Sequence, residues 1–417
     1  MAETFKIRLS EVQLPHKRAG HVAVSWNETT IIWGGQSSDA NLVNSQVLVH
    51  HSGKWHMKET SGDVPNTLED YGRMAHVVND HMFVLGYEAD YSNENELTYS
   101  LNLNTWVWTK LEPNGTPIKL REGASSWLHD DRIFIFGGTE VEVDGEDITS
   151  DVWPKHPPEY LPCYNITNNS WECVRQEGDI PSNRYDHSTL VCNNTVYLVG
   201  GVDPKKRVYN DLHILDMASM RWTRLHGSLS DDIGPVKSKK VTLVRISQST
   251  AVLLGIKVCW LLNLDKAKRL ADNSSIWTKL PNNLNKALHA AVIEPASRSL
   301  WIIGGFDLSN DPSSDNDNEL LFTSEVHVMP LNPSLKDLAV ATVARTRCPH
   351  DPSMASDNLA SHLRDEVEKY RTEMGGKFAC SRRKRCSRVF TCMLALEPPR
   401  KKAWSPSMSI TDFYVSK

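Results

Sequence analysis

The 417 residues are 40% hydrophobic and 23% charged, which excludes a disordered chain and suffices for a sizeable buried core. The longest apolar runs, such as "RIFIFGG", fall far short of the roughly 18 residues of a membrane-spanning helix, and "MAETFKIRLSE" at the start lacks an apolar signal core. The formal charge of −5 hides an asymmetry: residues 377–417 carry ten Lys/Arg against Glu397 and Asp412, about +8, leaving about −13 on everything before them.

In chain order, "TFKIRLSEVQLP" (4–15) alternates like a strand and is followed by "RAGH" (18–21). A β-rich segment ending in Gly then recurs as "TTIIWGG" (29–35), "HMFVLGY" (81–87), "DRIFIFGG" (131–138), "TVYLVGG" (195–201), "AVLLGIK" (251–257) and "SLWIIGG" (299–305), at intervals near fifty residues. Upstream stand "RAGH", "RMAH" (73–76) and "RYDH" (184–187), with "KALH" (286–289) a near copy, "REGA" (121–124) keeping only the Arg, and "VKSKK" (236–240) in that place in the fifth. Downstream, most copies pass through a further strand into one bearing Trp55, Trp108, Trp171, Trp222 or Trp277. This order is one four-stranded blade. Inner strands covered on both faces read as short continuous apolar runs, the glycines permit close backbone approach, and each Trp offers a large area to the adjoining blade.

The glycine doublet and downstream Trp resemble the kelch-repeat family over about residues 1–332, which implies an all-β, six-bladed kelch propeller. The sixth copy lacks a Trp strand after "SEVHVMPL" (324–331), so the N-terminal strand is expected to complete that blade and close the ring.

No Walker loop, HExxH or GxSxG is present, so a non-enzymatic binder without cofactor or metal is expected. His21, His76, His187 and His289 share one repeat position, as do Arg18, Arg73, Arg121 and Arg184, which points to structural hydrogen bonding in the repeat. The eight cysteines form no CxxC pair, and Cys380, Cys386 and Cys392 miss zinc spacing.

After the propeller, "PSLKDLAVATVARTRCPHDP" (333–352) places Leu335, Ala339 and Val343 on one helical stripe. The segment is similar to the elongin-binding box, with Ala339 where Cys is usual, and the following "CPHD" resembles kelch-domain-containing receptors of elongin–cullin ubiquitin ligases. That resemblance implies elongin B/C and a cullin as partners, through a helical adaptor-binding segment at 333–376. It also implies a substrate pocket that reads protein C-termini. The carry-over places Val202 where the family has its first arginine, with Arg207 the nearest equivalent of the second, offset by one residue, and Lys239 and Lys240 where it has Ser and Trp; Trp153 and Tyr160 of the long third-blade loop are candidate walls. The other reading is a kelch scaffold on chromatin or in the nucleus without a ligase role.

Residues 377–417 form a basic tail, expected to be disordered. "SRRKRCSR" (381–388) and "PPRKKAW" (398–404) have bipartite import spacing, and nucleic acid is contacted at most through this tail. "SMSITDFY" (407–414) resembles the sliding-clamp (PCNA) interacting box of the Cip/Kip inhibitors, with Ser407 in place of Gln, which implies Ile410, Phe413 and Tyr414 as clamp-binding anchors. Nuclear and cytoplasmic localisation is expected.

Overall fold

The computed structural model describes residues 7–37, 46–65, 74–87, 96–115, 123–138, 158–225, 241–256, 258–269, 276–280, 284, 286–287, 289–307 and 321–331. The chain divides at Asn332 into two units, and the described residues all belong to the first. The expected adaptor helix at 333–376 and the tail at 377–417 lie outside them.

Six blades of four antiparallel strands follow one another, two of them extended by a fifth strand, and a small three-stranded sheet of Lys286–Ala287, Phe306–Asp307 and Leu321–Phe322 accompanies the last. Their inner strands, Val22–Trp26, Met74–Val78, Ser125–His129, Ser188–Cys192, Thr242–Arg245 and Ala290–Glu294, neighbour one another in sequence order, and the last neighbours the first. The ring closes as expected: Arg8–Leu9 pairs antiparallel with Val326–Pro330 as the outer strand of blade 6. This strand is shorter than its alternating pattern suggests. Beyond it, single bonds hold the chain, from Ser10 N–H to Val326 O (2.7 Å) and from Leu14 N–H to Ser324 O (2.8 Å).

Four of the turns joining first and second strands begin with Asn27, Asn79, Asp130 or Asn193 at φ between 50° and 53°. Asn and Asp tolerate this left-handed region better than other side chains, so these hairpins are written in the sequence.

No blade buries its own faces. Each of the six buried apolar clusters draws on two adjoining blades. Trp108 of blade 2 lies 4.9 Å from Trp33 of blade 1, and Trp222 of blade 4 lies 5.8 Å from Phe136 of blade 3. Two of these tryptophans are also tied polar-wise to the preceding blade. Trp108 Nε1–H donates to Thr60 Oγ1 at 3.1 Å and Trp222 Nε1–H to Gln176 Oε1 at 2.7 Å. Beside them, Ser61–Gly62 and Glu177–Gly178 add a short parallel strand to the next blade's edge. A Cβ on Gly178 would stand 2.2 Å from Trp222 O. Fifth-blade degeneration is local: the sheet is intact, and the helix Leu264–Lys268, capped by the Asn263 side chain, buries Leu264 and Ala267 against blade 4.

Two of the four repeat histidines join neighbouring inner strands. His76 Nε2 and Ser126 Oγ are 2.7 Å apart, as are His187 Nε2 and Ser125 Oγ. Burial pushes His76 down to about 4; burial and then the Arg184 charge push His187 down to about 3, against a bond with the Phe136 backbone. Folded values below the unfolded 6.5 mean that the native state binds fewer protons. Their stabilisation is therefore complete above pH ~6.5 and lost as pH falls toward the folded values. Urea unfolding at pH 7.5 and 5.0 should show a drop on the order of 2 kcal/mol per buried histidine, and His187→Gln should reduce that drop.

Candidate functional site

The turns between first and second strands are two to four residues long and stand at one end of the ring. The second strands run toward the other end, where the described residues 34–37, 137–138, 158–159, 200–211, 304–307 and 321–325 lie together with Arg18–His21 and Arg184–His187. Long loops on a rigid scaffold are where binding residues concentrate, so this loop face is the candidate interaction surface.

Its foundation is the packing of Arg-x-x-His on the glycine doublet. At Gly201, φ is +97°, and a Cβ would lie 2.8 Å from His187 Cβ and 2.9 Å from Tyr185 O. Only glycine admits this approach. The gap lets Arg184 lie inside, 1% exposed. Its Nη1–H donates to Gly200 O (2.9 Å) and Asp211 Oδ1 (2.5 Å), and its Nη2–H to Asp211 Oδ2 (3.2 Å). The Tyr209 ring covers the guanidinium at 4.0 Å, and His213 Nε2 is 3.1 Å from Asp211 Oδ2. Burial alone would raise the Asp211 carboxyl, but hydrogen bonds from His213 and Arg184 and the Arg184 charge hold it well below the carboxylate range. Blade 6 repeats the device with Lys286, 4% exposed, whose Nζ donates to Glu325 Oε2 (2.5 Å) and Thr323 Oγ1 (3.0 Å).

Above this floor, residues 202–208 form a tight hairpin. Val202 bridges both Tyr185 and Val208 and is fully buried, so the place that resemblance gives to an arginine is filled by an apolar core residue. Arg207 is at the tip with its side chain 73% exposed. It is fixed by Asp203, which is 3% exposed and accepts the Arg207 backbone N–H at 2.7 Å and Nε–H at 2.6 Å. Burial opposes ionisation of Asp203, yet these two bonds hold its carboxyl below the ordinary value. Lys205 and Lys206 are exposed beside Arg207, giving a rigid basic tip. Tyr160 opens the third strand of blade 3 on the same face, paired with Arg175 and 41% exposed. Trp153, Lys239 and Lys240 lie outside the described residues, as do Leu335, Ala339, Val343, Ile410, Phe413 and Tyr414. Sequence reasoning missed Asp211, Glu325 and Asp203; the signal available was an acidic residue just before the third strand in "NDLH" and "SEVH".

Residues 12–255 match the KLHDC2/KLHL20/DRC7 Kelch-repeats domain. The chain is 26% identical over 269 residues to Kelch domain-containing protein 2 of Bos taurus, covering 59% of this chain and 64% of that protein. It is 22% identical over 215 residues to Kelch domain-containing protein 3 of Homo sapiens (51% and 55%) and 27% identical over 229 residues to Host cell factor of Drosophila melanogaster (50% and 14%). The chain thus spans less than two thirds of the length of these relatives. Among solved structures, that of YjhT superposes with a TM-score of 0.54 at 12% identity, covering 76% of this chain and 95% of YjhT, which speaks for the fold alone.

Asp211→Ala strands a buried guanidinium and should cost about 3–5 kcal/mol in urea unfolding. Arg207→Ala removes a bond at an exposed tip and leaves Asp203 its backbone N–H partner, so it should lower the unfolding midpoint far less than Asp211→Ala.

Proposed function

The chain belongs to the KLHDC2/KLHL20/DRC7 kelch-repeats family, and from that premise we propose that it is a non-enzymatic substrate receptor of an elongin-type cullin-RING ubiquitin ligase. Kelch propellers are in general non-catalytic interaction folds, so the propeller supplies protein binding and ubiquitin transfer takes place elsewhere. The observation that carries the substrate half is the basic tip Lys205–Lys206–Arg207, held rigid by Asp203 on the loop face of an otherwise acidic body. Such a tip suits acidic groups, including a terminal carboxylate, with Tyr160, Trp153, Lys239 and Lys240 as further candidates. Leu335, Ala339 and Val343 would dock elongin B/C, and the cullin would follow.

Ile410, Phe413 and Tyr414 would tether the receptor to the sliding clamp, bringing ligase activity to chromatin, and the basic clusters of the tail would direct import. A second reading, a nuclear kelch scaffold without a ligase role, is favoured by buried Val202, which removes one arginine of the family pocket.

Elongin B/C should co-purify with the full chain, and Leu335→Asp should abolish the association; retention by the variant overturns the ligase reading. Separately, a peptide of residues 405–417 should give binding heat with the clamp by calorimetry, and its Phe413→Ala/Tyr414→Ala form should give none.

A further inference from the structure

Blade 1 departs from the ion pairs of blades 4 and 6. In blade 4, Asp211 directly precedes the strand Leu212–Asp216, and Gly200 N–H donates to its carbonyl at 3.3 Å. Glu325 holds the same place in blade 6, where Gly304 N–H donates to its carbonyl at 2.9 Å. In blade 1 the strands pair as Thr30↔His50, Ile31↔Val49 and Ile32↔Leu48, and counting on by two in that register sets Gln46 opposite Gly34. The carboxylate position is thus held by a neutral amide, which donates instead to Glu59 Oε1 at 2.7 Å.

The cation is nevertheless kept. Arg18 is 2% exposed and seated at the seam of blades 6 and 1: its N–H donates to Thr323 O at 3.2 Å, and its carbonyl accepts from Gly305 N–H at 2.8 Å. Among the described residues its guanidinium makes one long hydrogen bond, Nη1–H to Gly34 O at 3.4 Å, and its Nε–H has no partner. Arg184, in the equivalent place, has five. Beside Arg18 stands His21, 6% exposed, with neither ring nitrogen partnered. Burial lowers Arg18 to about 10, and burial, then the Arg18 and His289 charges, hold His21 well below its ordinary value. A guanidinium taken out of water without a counter-charge is costly, and its planar fork matches a carboxylate in two parallel bonds.

We propose that Arg18 anchors a carboxylate-binding site on the loop face at the seam of blades 6 and 1, filled by a carboxylate of the bound protein in the place that Asp211 and Glu325 fill from within the chain. The site rests on the loop face being the protein-binding face and is independent of any ligase role. Neutral His21 is the candidate second donor, through the ring nitrogen that carries its proton. The carboxylate comes either from an Asp or Glu side chain or from a chain terminus.

The test is the thermal midpoint of the full chain at pH 7.5 in sodium acetate against sodium chloride of equal ionic strength. Acetate should raise the midpoint of the wild type and of Gln46→Asn. Gln46→Asp supplies the missing counter-ion from within; it should raise the midpoint in chloride by roughly 2–4 °C and abolish the further response to acetate, with Gln46→Glu as its replacement should Gln46→Asp fold poorly. Equal acetate responses in wild type and Gln46→Asp, or none in the wild type, overturn the proposal. In the wild type, a larger response to acetylglycine assigns the site to chain termini, and a larger response to acetyl-aspartyl amide assigns it to acidic side chains. The assay contains no elongin, so a failed elongin co-purification leaves its result standing.

Discussion

Everything in this propeller depends on closure of the ring. Because each apolar cluster is shared by two blades, a sheet without its neighbour exposes half of a core, and an open ring leaves two such sheets. Closure rests on a small set of bonds: two residue pairs, Arg8↔Val328 and Leu9↔His327, and the backbone bonds of Ser10, Leu14 and Arg18 to the last strand and its approach. Leu14, 4% exposed, adds the apolar part by packing with Ile32 and Leu48 of blade 1 and Trp301, Ile303 and Val326 of blade 6.

The same seam shows how one device is varied around a ring. Among the described residues the cation is buried in three versions, as Arg18, Arg184 and Lys286, and beside Arg184 a Cβ on Gly201 would stand 3.2 Å from the arginine's Cδ. What answers the charge differs: Asp211 with His213 in blade 4, Glu325 with Thr323 in blade 6, and the Gly34 carbonyl in blade 1. Two of these positions are internally neutralised and serve the fold. The third keeps its charge without a counter-ion and is the one suited to serve a ligand.

Much of the architecture is legible in the sequence because it repeats. Glycine doublets, Arg-x-x-His starts, Asn or Asp turns and downstream tryptophans recur at one spacing, and each has a local physical cause. The ion pairs are not legible in that way. Arg184 meets Asp211 across 27 positions, and only the strand register puts them together. The same reason hides the contrast between Gln46 and Glu325. Val202 and Arg207 illustrate a third case: the resemblance set them against two arginines of the family, whereas the hairpin turns one inward and the other outward.

Native-state hydrogen exchange of the full chain tests the closure account most directly. The amides of Ser10 and Leu14, bonded to Val326 O and Ser324 O, should exchange with the same opening free energy as the amides of the strand Ser299–Ile303, because breaking the seam exposes the cores on both sides of it. Fast exchange at Ser10 and Leu14 while Ser299–Ile303 stays protected would contradict it, showing that the ring stands without its closing strand.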